Sequence, residues 1–246
     1  MAEQKRPGDA WPREYVGYYP GFSTLAQAPF WDEATRAVVE ARVKEVPRIR
    51  FFTPEQAELL EAVQARIIPQ DDRPEDRRIP VLNYVDERLY AGRIDGYRYE
   101  DMPPDGEAYR LGLQAIDDIA RTMHGRPFLE LTGTEQDQVL WSIHEDKPQG
   151  GDAIWKQMPA DRFWLILVSD AVDAYYAHPY AWDEIGFGGP SYPRGYFRME
   201  NGQREPWEVD ERRYEWEAPE GALSDRYQQL GGRHPHTAPA GQEGTH

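Results

Sequence analysis

Apolar residues recur at helical spacing in six stretches of this chain, and segments rich in proline and glycine separate them. One helix is predicted to start at Thr53, where Gln56 completes a capping box, and another covers 109–123 and ends at a left-handed glycine cap, Gly125. The other predicted helices cover about residues 32–46, 80–89, a stretch that starts at Thr134, and 160–177. The pattern predicts a mainly α fold, an irregular helical domain of about six helices with long arms rich in Pro, Gly and aromatic residues.

The predicted helix 160–177 differs from the others because apolar residues occupy two of its faces. A helix that is apolar all round is usually buried, so we expect this one at the centre of the domain. From residue 179 onward the helical period fades. At most a short β-hairpin is expected near the C-terminus, with strands near 196–199 and 207–209.

Composition divides the chain into four parts. Residues 1–31 hold many aromatic residues and form a predicted extended arm, and residues 32–200 form the helical domain. Residues 201–230 form an acidic C-terminal extension. Residues 231–246 are Gly, Pro, His and polar residues, which predicts a disordered tail.

Charge and composition narrow the function classes. The formal net charge is −16, from 28 basic and 44 acidic residues, which disfavours nucleic acid and anionic membrane surfaces as partners. There is no cysteine, so thiolate metal sites and cysteine nucleophiles are excluded. The longest apolar run, 163–168, is too short to cross a bilayer, so no membrane insertion is expected. No export signal is visible near the N-terminus, so the chain is expected to carry no export address of its own.

Few residues suggest chemistry of their own. The pair Asp71 and Asp72 could bind a hard cation or act in acid–base catalysis, or it could be a solvated turn matched by Arg73, Arg77 and Arg78. His178 precedes Pro179 and could face a ligand cleft. The glycine-rich loop 186–190 lacks the features of a phosphate loop, and no nucleophile or metal-ligand spacing stands out.

Several segments in order resemble one known family. They are Ala65–Asp72, Tyr84-Val85-Asp86, Tyr109 to Leu113, Gly125 to Phe128, Tyr175 to Pro179, and Gly188-Gly189. Together they span about residues 50–195 and resemble the small subunit, subunit 3, of the gluconate 2-dehydrogenase type.

The resemblance implies a non-catalytic small subunit. Such subunits bind, stabilise and help to assemble an FAD-dependent catalytic subunit of the glucose–methanol–choline type, which oxidises a sugar or sugar-acid hydroxyl. This chain would then hold no cofactor, the FAD would lie in the flavoprotein partner, and residues 32–200 would be the small-subunit domain. Many relatives carry a twin-arginine signal that is not visible here, so the complex is expected in the cytoplasm, or it is exported with a signal on the partner.

An obligate interface favours aromatic residues and irregular arms, so these features mark the expected contacts. The interface candidates are Trp11, Tyr15, Tyr18, Tyr19, Phe22, Pro69, Asp71, Asp72, Tyr180, Trp182, Phe187, Tyr192 and Tyr196.

Two other hypotheses stay open at this point. The chain could be a stand-alone enzyme that uses His178 with Asp170, Asp173 or Asp183, although Asp170 and His178 lie two helical turns apart. It could also be a carbohydrate- or metal-binding module, since exposed Tyr and Trp can stack on sugar rings.

Overall fold

The computed structural model describes residues 22–94, 96, 98–190 and 195, and all regular secondary structure in them is helical. The α-helices are α1 (Glu33–Lys44), α2 (Pro54–Ile67), α3 (Val81–Tyr90), α4 (Asp105–His124), α5 (Gly133–His144), α6 (Asp152–Trp155), α7 (Ala160–Tyr176) and α8 (Pro179–Ile185). Three 3-10 helices cover Thr24–Phe30, Glu75–Arg77 and Phe128–Glu130. The predicted mainly α class is confirmed, whereas the possible hairpin falls outside the described residues.

Local signals set the ends of the best-predicted helices. At the start of α2 the Thr53 hydroxyl accepts a hydrogen bond from the Gln56 backbone N–H, and the Gln56 side chain accepts one from the Thr53 backbone N–H, both at 3.2 Å. This is the predicted capping box. Helix α4 ends at Gly125, whose φ of 71° is the predicted left-handed cap. Both predictions are confirmed.

The core forms around α4, which packs against α2, α5 and α7. Tyr109, Ile116 and Ile119 of α4 are fully buried, and so is Phe163 of α7. The two helices meet where the Phe163 ring lies over Gly112, so closely that a Cβ at Gly112 would sit 2.1 Å from the ring. Only a glycine leaves room for this contact.

A second, smaller core joins the N-terminal segment to α8. Trp31, Val39 of α1 and Trp182 of α8 are buried together. Residues 24–31 belong to the predicted extended arm, but they form the 3-10 helix Thr24–Phe30 and its C-cap Trp31, and that helix packs against α1 and α8. An amphipathic segment that can bury a tryptophan gains more by docking than by staying extended.

Three other details differ from the sequence predictions. Helix α5 is capped by Thr132 with Glu135, two residues before the predicted Thr134. Residues 179–185, expected to be irregular, form α8 because Pro179 is well suited to the first turn of a helix. Helix α7 is not buried all round: Leu165 and Val172 are 47% and 37% exposed.

No helix in the described part of the chain combines the length and the apolar content needed to cross a bilayer.

The contact between Gly112 and Phe163 yields a stability prediction. Gly112→Ala should lower the free energy of unfolding by about 1–3 kcal/mol, because overpacking against a buried ring outweighs the gain in helix propensity. Urea denaturation measures the change. In the double variant with Phe163→Leu the alanine should cost much less, since the smaller side chain frees the space. Gly133→Ala is the control, because its Cβ would meet only the end of the Arg66 side chain. Equal costs for the two alanine variants would contradict the prediction.

Candidate functional site

One side chain, that of Gln70, joins the two ends of the loop between α2 and α3. The amide of Gln70 donates to the Ile79 carbonyl at 3.0 Å and accepts from the Ile79 N–H at 2.8 Å. A side-chain amide thus pairs with the backbone on both of its hydrogen-bonding atoms. This contact fixes residues 70–79 as a defined loop rather than an open turn.

Arg73 anchors this loop to α7 and α8. Its side chain is almost fully buried and pairs with Glu184 at 2.7 Å. It also donates to the Tyr175 hydroxyl at 2.9 Å, and that hydroxyl donates to Glu184 at 3.0 Å. Burial raises the pKa of Tyr175 to about 12, although the Arg73 hydrogen bond opposes the shift. Tyr175 therefore acts here as a neutral hydrogen-bonding group.

Asp183 connects the same region to the N-terminal segment. Its carboxylate accepts from the Thr24 N–H at 2.6 Å and pairs with Arg77 at 3.2 Å. The Thr24 hydroxyl donates to the Phe187 carbonyl at 3.0 Å. We call Thr24, Arg73, Arg77, Tyr175, Asp183 and Glu184 the polar network. It ties three segments together that are far apart in sequence.

Two more buried carboxylates have structural partners. Asp170 of α7 pairs with Arg88 and accepts from the Tyr109 hydroxyl at 2.7 Å, and Arg88 also pairs with Asp105 at 2.7 Å. Burial raises the pKa of Asp170, whereas Arg88 and Tyr109 act in the opposite direction. Asp86 of α3 is fully buried and accepts from three successive backbone N–H groups, those of residues 50–52. Each carboxylate thereby holds another segment in place.

His178 is the N-cap of α8. Its Nδ1 accepts from the Tyr180 N–H at 3.1 Å, and only 2% of the residue is exposed. Burial lowers its pKa to about 4, while a hydrogen bond to the Arg42 backbone opposes this shift. The imidazole is therefore neutral at pH 7.

The acid–base pairs suggested for a stand-alone enzyme do not form. Asp170 binds Arg88, Asp183 binds Arg77, and Asp173 is exposed on α7. None of the three hydrogen-bonds to His178 in the described region. Within residues 22–190, apart from 95 and 97, there is also no group of three or more side chains that could hold a metal ion.

The outer face of α7 carries an apolar surface that the described part of the chain covers only in part. Leu165, Val168, Val172 and Tyr176 follow each other at spacings of three and four, and we call them the α7 stripe. Three of them are 37–48% exposed, and Val168 is half-buried.

A cluster of three tilted rings, which we call the ring cluster, lies between α5 and α7. The His144 ring lies between the rings of Trp141 and Trp164, with centroids 4.8 and 5.5 Å away. Trp141 is 53% exposed. Large aromatic surface is thus available to a partner at the junction of these two helices.

The predicted interface residues are scattered. Pro69, Asp71 and Phe187 are exposed, whereas Phe22, Asp72 and Tyr180 are half-buried. Trp182 lies in the small core at 8% exposure rather than on the surface. Trp11, Tyr15, Tyr18, Tyr19, Tyr192 and Tyr196 lie outside the described residues, and so do the predicted acidic extension and tail.

A comparison with family profiles identifies the class. The profile described as gluconate 2-dehydrogenase subunit 3 matches residues 54–189. The chain belongs to this family. Neither the curated proteins nor the solved structures include a match. The matched subunit 3 region runs from the start of α2 past the end of α8, so it includes the α7 stripe and all of the polar network except Thr24.

Sequence reasoning missed the residues that organise this subunit 3 domain. One interpretation of the sequence has Arg73 matching the charge of a solvated turn at Asp71 and Asp72, but its side chain is buried against Glu184. Asp86 is singled out in the sequence only as part of a segment that resembles the family. The one available signal was that both lie within or beside segments that resemble the family, 65–72 and 84–86.

The buried pair of Arg73 and Glu184 predicts an asymmetric response to substitution. Arg73→Met should cost about 3–5 kcal/mol of stability, because it leaves a buried carboxylate without its partner. Arg73→Met combined with Glu184→Met should cost less than the single change, since no charge then remains buried. Chemical denaturation of both variants measures this, and a cost below about 1 kcal/mol for Arg73→Met would contradict a buried ion pair.

His178 predicts a pH dependence. Because the pKa of His178 is lower in the folded state, the neutral imidazole contributes fully to the free energy of unfolding above pH 6.5. This contribution is lost as the pH falls toward 4. Over this window the wild type should lose about 3 kcal/mol more stability than His178→Asn, which keeps a capping acceptor but does not titrate. Thermal and urea denaturation at several pH values measure the difference. Carboxylates titrate in both proteins and therefore change both stability profiles in the same way. Parallel profiles of stability against pH would show that His178 is not buried in its neutral form.

Proposed function

We propose that this chain is the non-catalytic small subunit of a sugar dehydrogenase or oxidase, and that it binds, stabilises and helps to assemble the catalytic subunit. The family description supports a place in a dehydrogenase complex. The buried His178 and the structural roles of Asp170 and Asp183 support a binding role rather than catalysis by this chain.

The α7 stripe is the observation that carries the proposal. One face of α7 packs into the core through Phe163 and Leu167, while the opposite face presents Leu165, Val172 and Tyr176 to solvent. A helix that is apolar on both faces is typical of one that another chain covers. Burying an aliphatic side chain contributes about 1.5–3 kcal/mol, so these positions can supply substantial binding energy.

The ring cluster is a second exposed feature that supports a binding role. Trp141 and Trp164 flank His144 beside the α5–α7 contact, and tryptophan and tyrosine often dominate binding energy in protein interfaces. Phe187 adds another exposed ring just after α8. Aromatic side chains lose little conformational entropy on binding, which suits a permanent complex.

We place the FAD in the catalytic subunit, a flavoprotein of the glucose–methanol–choline type that oxidises a sugar or sugar-acid hydroxyl. Dinucleotide-binding folds hold the pyrophosphate at a turn from a strand to a helix. The described part of this chain is helical and offers no such turn, which supports an FAD site in the partner. The cytoplasmic location stays a prediction that cell fractionation tests.

Purification of the tagged chain from native cells tests the proposal. A flavoprotein should co-purify in a fixed ratio, and the pair should oxidise a sugar or sugar acid while the isolated chain does not. Oxidation by the isolated, flavin-free chain would overturn the proposal. Absence of any flavoprotein in the purified material would also overturn it.

Charge placed on the α7 stripe should weaken the complex. Val172→Asp should reduce the affinity for the catalytic subunit by about 30-fold, or about 2 kcal/mol, because a carboxylate would be buried in an apolar contact. Binding is measured by titration, with the melting temperature of each free variant as a folding check. The matched control is Val38→Asp, which makes the same change at an exposed valine of α1. Equal affinities for the two variants would exclude the stripe from the interface.

A further inference from the structure

A groove separate from the α7 stripe runs between α2 and α4 and ends at residues 127–130. It encloses a volume of about 620 Å³. We call it the acidic groove. Its α4 side is formed by residues at helical spacing, 107, 110, 111, 114, 117 and 118.

Leucines provide the apolar lining of the groove. Leu59 of α2 and Leu111 of α4 are half-buried, and Leu113 lies in the core beneath them. Leu129, from the 3-10 helix Phe128–Glu130, is 43% exposed. The lining is therefore open to an apolar side chain from outside.

Carboxylates dominate the polar lining. Glu55, Glu107, Asp118 and Glu130 have no salt bridge in the part of the chain that the structure describes. The only basic residue among the lining residues is Arg110, and its guanidinium packs 4.2 Å from the Phe51 ring centre.

Asp117 also lines the groove, but it is already engaged by Arg121 and by the Phe128 N–H. With five carboxylates and one guanidinium among its lining residues, the groove has a net negative charge, and a concave, apolar-walled site concentrates the resulting potential.

We propose that the acidic groove binds a basic amphipathic helix of the catalytic subunit. Apolar side chains at the spacing i, i+3, i+4 enter between Leu59, Leu111 and Leu129, and flanking Lys or Arg side chains meet the carboxylates. The proposal rests on the proposed function, because it takes the occupant from the catalytic subunit. Charge complementarity favours this occupant over a second copy, which would also carry a net charge of −16.

The test compares two triple variants in the complex with the purified catalytic subunit. The groove variant combines Glu107→Gln, Asp118→Asn and Glu130→Gln. The control variant combines Glu45→Gln, Glu58→Gln and Glu100→Gln, which remove the same charge from exposed positions that do not line the groove. At 50 mM salt the groove variant should bind about tenfold more weakly than the control, and at 300 mM the difference should shrink, since salt screens exposed charges.

An apolar variant separates the two parts of the interaction. Leu129→Ala should weaken binding by roughly five- to tenfold at both salt concentrations, because its contribution is apolar contact rather than charge. Leu129 is 43% exposed and lies outside both cores, so the variant should change the melting temperature little. Zero-length cross-linking of the wild-type complex should join Glu107, Asp118 or Glu130 to lysines on one helix of the catalytic subunit.

The possible results decide between the occupants. If the groove and control variants bind equally at both salt concentrations while the complex still forms, the groove proposal is overturned and the proposed function stands. Cross-links from the groove to a second copy, or to lysines of the same chain, also overturn it. If no complex forms with any variant or with the wild type, the proposed function fails, and the groove proposal fails with it.

Discussion

A carboxylate that leaves water must be met by several hydrogen-bond donors, and this requirement organises the interior of the domain. Asp86 accepts hydrogen bonds from three backbone N–H groups. Asp170 pairs with Arg88 and accepts from Tyr109, and Asp183 accepts from the Thr24 N–H and pairs with Arg77. In each case the donors come from a segment distant in sequence. The buried carboxylates therefore hold the irregular connections between helices in place through hydrogen bonds and ion pairs.

This arrangement explains how a chain with so many prolines and glycines keeps a defined shape. The sequence of the loop 70–79 does not by itself favour a single conformation. Arg73 holds the loop against α7 and α8, and the Gln70 amide joins its two ends. The same contacts position α7 with its core face fixed. Its outer stripe is then held in one orientation, and a preorganised surface loses less entropy when it binds.

The two open surfaces differ in their physical character. The α7 stripe and the ring cluster are apolar and aromatic, which suits strong, largely salt-independent contact. The acidic groove combines leucines with carboxylates, most of which form no salt bridge within the described residues, and this combination suits recognition of charge and faster association. A subunit with both surfaces can select its partner by charge and retain it by apolar burial.

The sequence alone determined the class of the fold and the ends of the helices whose signals are local. The capping box at Thr53 and the cap at Gly125 act on backbone groups within a few residues of themselves. Only the tertiary structure decided which charges are buried. Arg73 lies 102 positions from Tyr175, and no local pattern distinguishes it from its solvated neighbours. It also decided that the described part of the chain leaves one apolar face of α7 partly exposed, because periodicity gives the apolar faces of a helix but not the number of neighbours that cover them.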